Sequence, residues 1–113
     1  MLVDDKALGR IRAIGGDTLV EQMVELFVVD VPARLERLRC AVAAGDRTAV
    51  ARAAHSIRGS AATLGAVTVA QICTALELAA GAPGTSLDAG LAELADAILA
   101  AGEELRGLAA ARG

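Results

Sequence analysis

Aromatic side chains are almost missing from this chain of 113 residues, which has one Phe and neither Trp nor Tyr. Because β-sheet proteins draw on aromatic and β-branched residues, the composition favours helices. The chain also lacks the stacking residues of single-strand binders, and its net charge of −3 lacks the basic surplus of a nucleic-acid-binding domain. We therefore expect no nucleic-acid partner. A chain that is 55% hydrophobic can still fold around a core.

Metal-ligating residues are equally scarce, with two cysteines and one histidine in the whole chain. There is no CxxC pair, so neither a metal site nor a metal-dependent enzyme is expected. Free cysteines are usually small core residues, so we expect Cys40 and Cys73 to be buried thiols in a reducing, cytoplasmic compartment. The N-terminus has no apolar signal segment, and the longest uncharged run, 59–76, is too polar for a membrane span.

Turn and capping residues divide the sequence into helical pieces. The predicted pieces are a short helix from Asp4 or Asp5 to Gly15–Gly16, a long helix from Asp17 to about Gly45, and three further helices from Asp46 to about Leu64, from about Val67 to Ala80, and from Ser86 to about Leu108. Pro32 should either kink the long helix or start a new one within it. The pattern predicts an all-α protein, an antiparallel four-helix bundle with a short N-terminal lid helix, in one domain spanning 1–113.

The chain's one histidine, His55, falls in the helix that begins after Asp46. At about 100° per residue it lies roughly 160° from the centre of that helix's apolar face, so we expect it to point outward. Gly59 follows one turn later on the same side, which Arg52 and Ala62 share. Because glycine inside a helix costs about 1 kcal/mol relative to alanine, its presence indicates space for something large to approach the imidazole.

The segment AHSIRGSAATLGA, residues 54–66, resembles the signature of histidine phosphotransfer (HPt) domains. That signature is a histidine, any residue, a hydrophobic residue, a Lys or Arg, a Gly and small residues, with another Gly ten positions after the histidine. Here the positions are occupied by His55, Ile57, Arg58, Gly59, Ser60 and Gly65. Phe27, Cys73 and the stretch 75–79 are also similar to family positions, so the resemblance covers nearly the whole chain. Many members have Lys where this chain has Arg58, and Arg offers a planar fork instead of a mobile point charge.

The resemblance implies a phosphorelay intermediate of a two-component system. His55 would accept a phosphoryl group from a receiver-domain aspartate, or from a histidine kinase, and pass it to another receiver domain. A neutral imidazole has one nitrogen with a free lone pair, which can attack phosphorus and form a phosphohistidine. The transferring group needs cations, and Arg58, with Arg52 as a second candidate, would supply them. The receiver would bring Mg²⁺, so the chain is expected to need no cofactor of its own.

Family relatives carry a Glu or Gln 22 residues after the histidine, and Glu77 occupies that position here. We hypothesise that its carboxylate accepts a hydrogen bond from His55, directly or through water, which would fix the tautomer of the ring. An ordinary exposed glutamate is the alternative interpretation.

The long helix has two apolar rows that lie about 100° apart. We interpret the row with Leu19, Met23, Leu26 and Phe27 as the core stripe, which leaves Val20, Val24, Val28 and Val31 as a second row. A helix that is apolar on two sides is covered by something. We expect the lid helix to cover part of the second row through Leu8, Ile11 and Ile14. The remainder, including Val24 and Val28, would form a docking patch for the receiver beside His55.

Other interpretations stay open. The chain would also suit the phosphoacceptor domain of a chemotaxis-type kinase, or a non-catalytic helical adaptor in which His55 is incidental. Residues 9–16 lack a phosphate-binding loop, so we expect a phosphocarrier without kinase activity, and not an enzyme. The expected partners are receiver domains of response regulators or hybrid histidine kinases, no membrane is expected to be bound, and the family resemblance favours a monomer.

Overall fold

The computed structural model describes residues 2–111, which form four helices and no strand. The helices are α1 (Lys6–Ala44), α2 (Arg47–Thr63), α3 (Val67–Ala80) and α4 (Asp88–Ala110). Each packs against its neighbour in sequence, and α1 also packs against α4, which closes the bundle. The predicted all-α four-helix bundle is confirmed. Within residues 2–111 no helix is both long enough and apolar enough to cross a membrane. Positions 1 and 112–113, the ends of the predicted domain, lie outside the described residues.

Helix α1 is broken once, at Gly16, where φ is 71° and ψ is −168°. Glycine adopts a positive φ without the steric cost that a side chain would bring, so the predicted stop at Gly15–Gly16 is confirmed. The helix then continues through Pro32 without a second break. The residues before Gly16 form the predicted lid helix, and those after it form the long first helix of the bundle.

The N-terminal segment closes one end of the bundle. Val3, Leu8 and Ile11 are buried, and the amide of Asp4 donates to the carbonyl oxygen of Gly65 at 2.7 Å. The carboxylate of Glu104 accepts hydrogen bonds from the amides of Leu2 and Val3 at 3.0 and 3.3 Å. Ile14 is 83% exposed, so its predicted covering role is wrong. It lies in the last turn before the break at Gly16, where its side chain faces solvent in the described part of the chain.

Capping residues mark the boundary between α1 and α2, whereas α4 begins without a side-chain cap. Oδ1 of Asp46 accepts a hydrogen bond from the Ala49 amide at 3.1 Å, as predicted for the N-cap of α2. Gly45 ends α1 in the left-handed conformation, with φ 70°. The predicted cap at Ser86 is wrong, because α4 begins at Asp88 after the buried Leu87. The carboxylate of Asp88 in the first turn instead faces the positive end of the helix dipole.

The core face of α1 is rotated from the predicted stripe toward the second apolar row, and Phe27 of the predicted stripe is buried as expected. Val20, Val24 and Val31 are buried together with Phe27, Leu35 and Leu38, whereas Leu26 is 67% exposed. Burial of Val24 means that its predicted place on a docking patch is wrong. Val28 is half-buried and lines a groove between α1 and α4 with Leu99 and Gly102. Its predicted place beside His55 is also wrong, because that groove faces α4 and the histidine lies on α2.

Arg47 ties the start of α2 to the end of α3 and the loop that follows. Its Nη1 donates to the carbonyl oxygens of Ala79 and Ala82 at 2.9 and 3.1 Å, and its Nη2 donates to that of Thr85 at 2.6 Å. The last carbonyl groups of a helix have no partner within the helix. The carbonyl oxygens of Ala79 and Ala82 also accept backbone amides, from Ala82 at 3.1 Å and Thr85 at 3.2 Å. The half-buried guanidinium therefore adds charge-assisted hydrogen bonds that join α2 to this turn.

We expect Arg47→Met to lower the free energy of unfolding by about 2 kcal/mol, the range for hydrogen bonds made by a charged group. Urea denaturation followed by circular dichroism measures the change. The matched control is Arg39→Met, because the ion pair of Arg39 within residues 2–111 is with the exposed Glu36 at 3.1 Å. Its loss should cost less than about 0.5 kcal/mol. Equal losses in the two variants would show that the Arg47 contacts do not stabilise the fold.

Candidate functional site

His55 projects from the middle of α2 into solvent. Its side chain is 70% exposed, while the buried face of α2 is formed by Val50, Ala54, Ile57 and Ala61. The outward orientation expected from the helical angle is the one the structure has. A nucleophile in this place is open to a second protein without any rearrangement of the bundle.

Two polar side chains surround the imidazole. Glu77, which projects from α3 and is 20% exposed, has Oε1 at 3.0 Å from Nδ1 of His55. Arg58, one turn after His55 on α2 and 37% exposed, has Nη2 at 2.7 Å from the same nitrogen. Its Nε lies 3.4 Å from Oε2 of Glu77. The structure therefore brings together the three residues to which the sequence assigned the chemistry.

Both contacts of the ring are made to Nδ1. The other ring nitrogen, Nε2, makes no hydrogen bond with residues 2–111. If Nδ1 carries the proton, it donates a hydrogen bond to Glu77 and Nε2 is unprotonated. The lone pair on Nε2 then makes it the nucleophile. This is the arrangement in which a carboxylate orients a histidine base or nucleophile.

The surface around His55 is open. A Cβ added to Gly59 would have nothing within 4 Å, and the predicted neighbours Arg52 and Ala62 are exposed on the same side of α2. Gly59 therefore has no packing role within the described chain. Its missing side chain leaves a smooth strip of helix backbone beside the imidazole.

A groove between α1 and α2 was not foreseen from the sequence. It has a volume of about 160 Å³ and is lined by Met23, Leu26, Phe27, Asp30, Val31, Arg34, Ser60, Thr63 and Leu64. Across it Nη1 of Arg34 donates to Oγ of Ser60 at 2.8 Å, and Arg34 also pairs with Asp30 at 2.6 Å. The spacing of Asp30 and Arg34, four residues apart on a helix, was the available signal.

Cys73 lies one turn before Glu77 and is fully buried beneath the site. Burial, together with the negative charge of Glu77, raises the pKa of the Cys73 thiol to about 12, and the charge of Arg58 offsets part of that rise. Cys73 therefore stays a neutral thiol near pH 7 and is not a nucleophile. Its predicted burial is confirmed. The predicted burial of Cys40 is wrong, because that residue is exposed on the side of α1 opposite the inward-facing Leu38 and Ala41.

Comparison with known proteins agrees with this geometry. A family model described as the Hpt domain matches residues 22–111. The crystal structure of histidine-containing phosphotransfer protein B (HptB) from Pseudomonas aeruginosa PAO1 is similar with a TM-score of 0.88 and 25% identity, over 99% of this chain and 97% of that chain. No curated protein matches. Because the family model covers most of the chain, including His55 and Glu77, this protein belongs to the Hpt domain family.

Proposed function

We propose that this protein is a phosphorelay intermediate that carries a phosphoryl group on His55 from one receiver domain to another. Membership of the Hpt family supports a histidine phosphotransfer role. The observation that carries the assignment to His55 is an exposed imidazole with Nδ1 beside a carboxylate and Nε2 open to solvent. A mere helical adaptor has no need of a glutamate at hydrogen-bond distance from an exposed histidine.

The transfer step follows from this arrangement. Nε2 attacks the phosphorus of an aspartyl phosphate on the receiver, an N–P bond forms, and the P–O bond breaks with its electron pair going to the aspartate carboxylate. The ring keeps the proton on Nδ1 and gains positive charge, which the adjacent Glu77 carboxylate stabilises. Arg58 stabilises the phosphoryl oxygens together with Mg²⁺ supplied by the receiver. The reverse step returns the group to a second receiver.

The receiver docks on the strip of α2 that carries Gly59, Arg52 and Ala62. The docking surface extends from this strip over the groove between α1 and α2. This location replaces the patch on Val24 and Val28. The exposed Leu26 and the groove give an apolar contact. The segment from 34 to 58 has six arginines against one glutamate and one aspartate, which favours an acidic partner.

Replacing Gly59 should change the stability of the fold and the access of the receiver to His55 in opposite directions. Gly59→Gln should raise the free energy of unfolding by about 0.5–1 kcal/mol, because glutamine is a better helix former and nothing lies within 4 Å. Transfer from a phosphorylated receiver should slow by about tenfold, because the added side chain occupies the approach path to His55. Rapid-quench transfer assays and urea denaturation measure the two effects.

Gly107→Gln is the matched control for Gly59→Gln. Gly107 is an exposed glycine in α4 with nothing within 4 Å of an added Cβ, so its variant should gain similar stability without slower transfer. If both variants transfer at the wild-type rate, Gly59 is not part of the docking surface.

Incubation of the protein with an isotopically phosphorylated receiver domain tests the proposed function. We expect the label to move to the protein within seconds and to be lost in acid but not in alkali, as a phosphohistidine behaves. ATP alone should give no label. Labelling by an ATP-driven kinase core without any receiver would instead support the chemotaxis-type alternative, and no labelling by any donor would support the adaptor.

A further inference from the structure

Two groups compete for one nitrogen of His55. Oε1 of Glu77 lies 3.0 Å from Nδ1, and Nη2 of Arg58 lies 2.7 Å from the same atom. A carboxylate oxygen can only accept a hydrogen bond, whereas a guanidinium can only donate one. The contact with Glu77 therefore requires a proton on Nδ1, whereas the contact with Arg58 requires an unprotonated Nδ1.

A neutral imidazole meets only one of these demands at a time. If Nδ1 carries the proton it donates to Glu77, and Nε2 has the lone pair that attacks phosphorus. If Arg58 donates to Nδ1, the proton must sit on Nε2, and the solvent-exposed nitrogen cannot act as a nucleophile. The identity of the group bonded to Nδ1 thus decides whether His55 is reactive.

We propose that Arg58 is a positioning residue that controls the tautomer of His55. In the resting protein its guanidinium holds a fraction of the rings in the unreactive form, with the proton on Nε2. When an anionic phosphoryl group arrives, the guanidinium turns toward it and leaves Nδ1 to Glu77, which selects the reactive tautomer. This inference rests on the phosphoacceptor role proposed for His55.

The surroundings of Arg58 support such a movement. Its Nε is buried without a hydrogen-bond partner within the described chain, 3.4 Å from Oε2 of Glu77. The ion pair between Nε and Oε2 of Glu77 is therefore not fixed by an aligned hydrogen bond, and the guanidinium can turn without breaking one at Nε. The side chain as a whole is 37% exposed and can turn outward to a partner's phosphoryl oxygens. Arginine offers several donors in a rigid fork, so one can leave Nδ1 while another keeps the pair with Glu77.

Nitrogen NMR of the full chain labelled with ¹⁵N at histidine tests the inference. The chain has one histidine, so every ring signal comes from His55, and the chemical shifts of the two nitrogens report which one carries the proton. The measurement is made above the pH at which the ring is charged, without receiver and without phosphate. It therefore does not depend on whether the protein is ever phosphorylated.

We expect the wild-type protein to show a mixture of the two tautomers. Arg58→Met should raise the ratio of Nδ1-protonated to Nε2-protonated ring by about tenfold, the effect of removing one charge-assisted hydrogen bond. Glu77→Gln should shift the ratio the opposite way. The control, Arg52→Met, removes an arginine from the same side of α2 without touching Nδ1 and should leave the ratio unchanged.

An unchanged ratio in Arg58→Met, with the wild-type helical circular dichroism retained, would overturn the tautomer control. So would a wild-type ring protonated on Nδ1 alone. Failure of the phosphorylated receiver to label wild-type protein would overturn the proposed function instead. The two failures are read from separate experiments and cannot be confused.

Discussion

His55→Gln should abolish acid-labile labelling by a phosphorylated receiver, while the folded protein remains as stable as the wild type. Glutamine has the approximate length of histidine but no nucleophilic ring nitrogen, so no phosphohistidine can form. Because the side chain is 70% exposed and outside the core, we expect the free energy of unfolding to change by less than about 0.5 kcal/mol. Label transfer and urea denaturation measure the two quantities on the same preparation.

The control for His55→Gln is Thr48→Gln, which places the same side chain two turns earlier on the exposed side of α2. This variant should accept label at close to the wild-type rate. If His55→Gln still acquires acid-labile label, another residue is the phosphoacceptor, and the role given to His55 is wrong.

Gly65→Ala should lower the free energy of unfolding by about 3 kcal/mol, the sum of a backbone cost and a steric one. Gly65 has a φ of 74°, a left-handed conformation that costs a residue with a Cβ about 1–2 kcal/mol. An added Cβ would also overlap the carbonyl oxygen of Asp4 and come within 2.9 Å of the Cβ of Ala7, which adds about 1–3 kcal/mol of overpacking. Thermal unfolding should show a Tm lower by about 12 °C.

Gly45→Ala separates the two causes. Gly45 has a similar φ of 70°, but nothing lies within 4 Å of an added Cβ. The loss should therefore be about 1–2 kcal/mol, from the backbone conformation alone. If Gly45→Ala and Gly65→Ala lose the same stability, the close approach of the N-terminal segment to Gly65 does not contribute.

Helix boundaries followed well from the sequence because they depend on local chemistry. Asp46 caps α2 through its own side chain, and Gly16, Gly45 and Gly65 take conformations that favour glycine. The start of α4 was misplaced at Ser86 because the turn before it is stabilised from a distance, by Arg47. A contact between α2 and the loop 81–87 leaves no local signal.

The face of α1 was misassigned for a different reason. Both of its apolar rows satisfy helical spacing, and Phe27 lies next to both rows. Periodicity alone therefore could not show which row faces the core. The choice was made by the tertiary partners, since Val20, Val24 and Val31 pack into the core while Leu26 borders the groove beside α2. Because the docking patch was predicted from the same assignment of faces, its residues Val24 and Val28 were wrong as well.

The site was predictable in part. The outward direction of His55 followed from helical geometry, and Arg58 and Gly59 followed from the resemblance to the family signature. The pairing of Glu77 with His55 came from a family spacing and joins two helices at 3.0 Å. The second contact to Nδ1, from Arg58 at 2.7 Å, had no signal in the sequence, because side-chain direction at this level depends on the packed neighbours.

The central claim is that Nε2 of His55 takes the phosphoryl group from a receiver aspartate. NMR of the ¹⁵N-histidine-labelled protein after transfer from a phosphorylated receiver tests it directly, through the scalar coupling between phosphorus and nitrogen. We predict that phosphorus couples to Nε2 of the ring, with a proton retained on Nδ1. Coupling to Nδ1, or label found on a residue other than His55, would contradict the account.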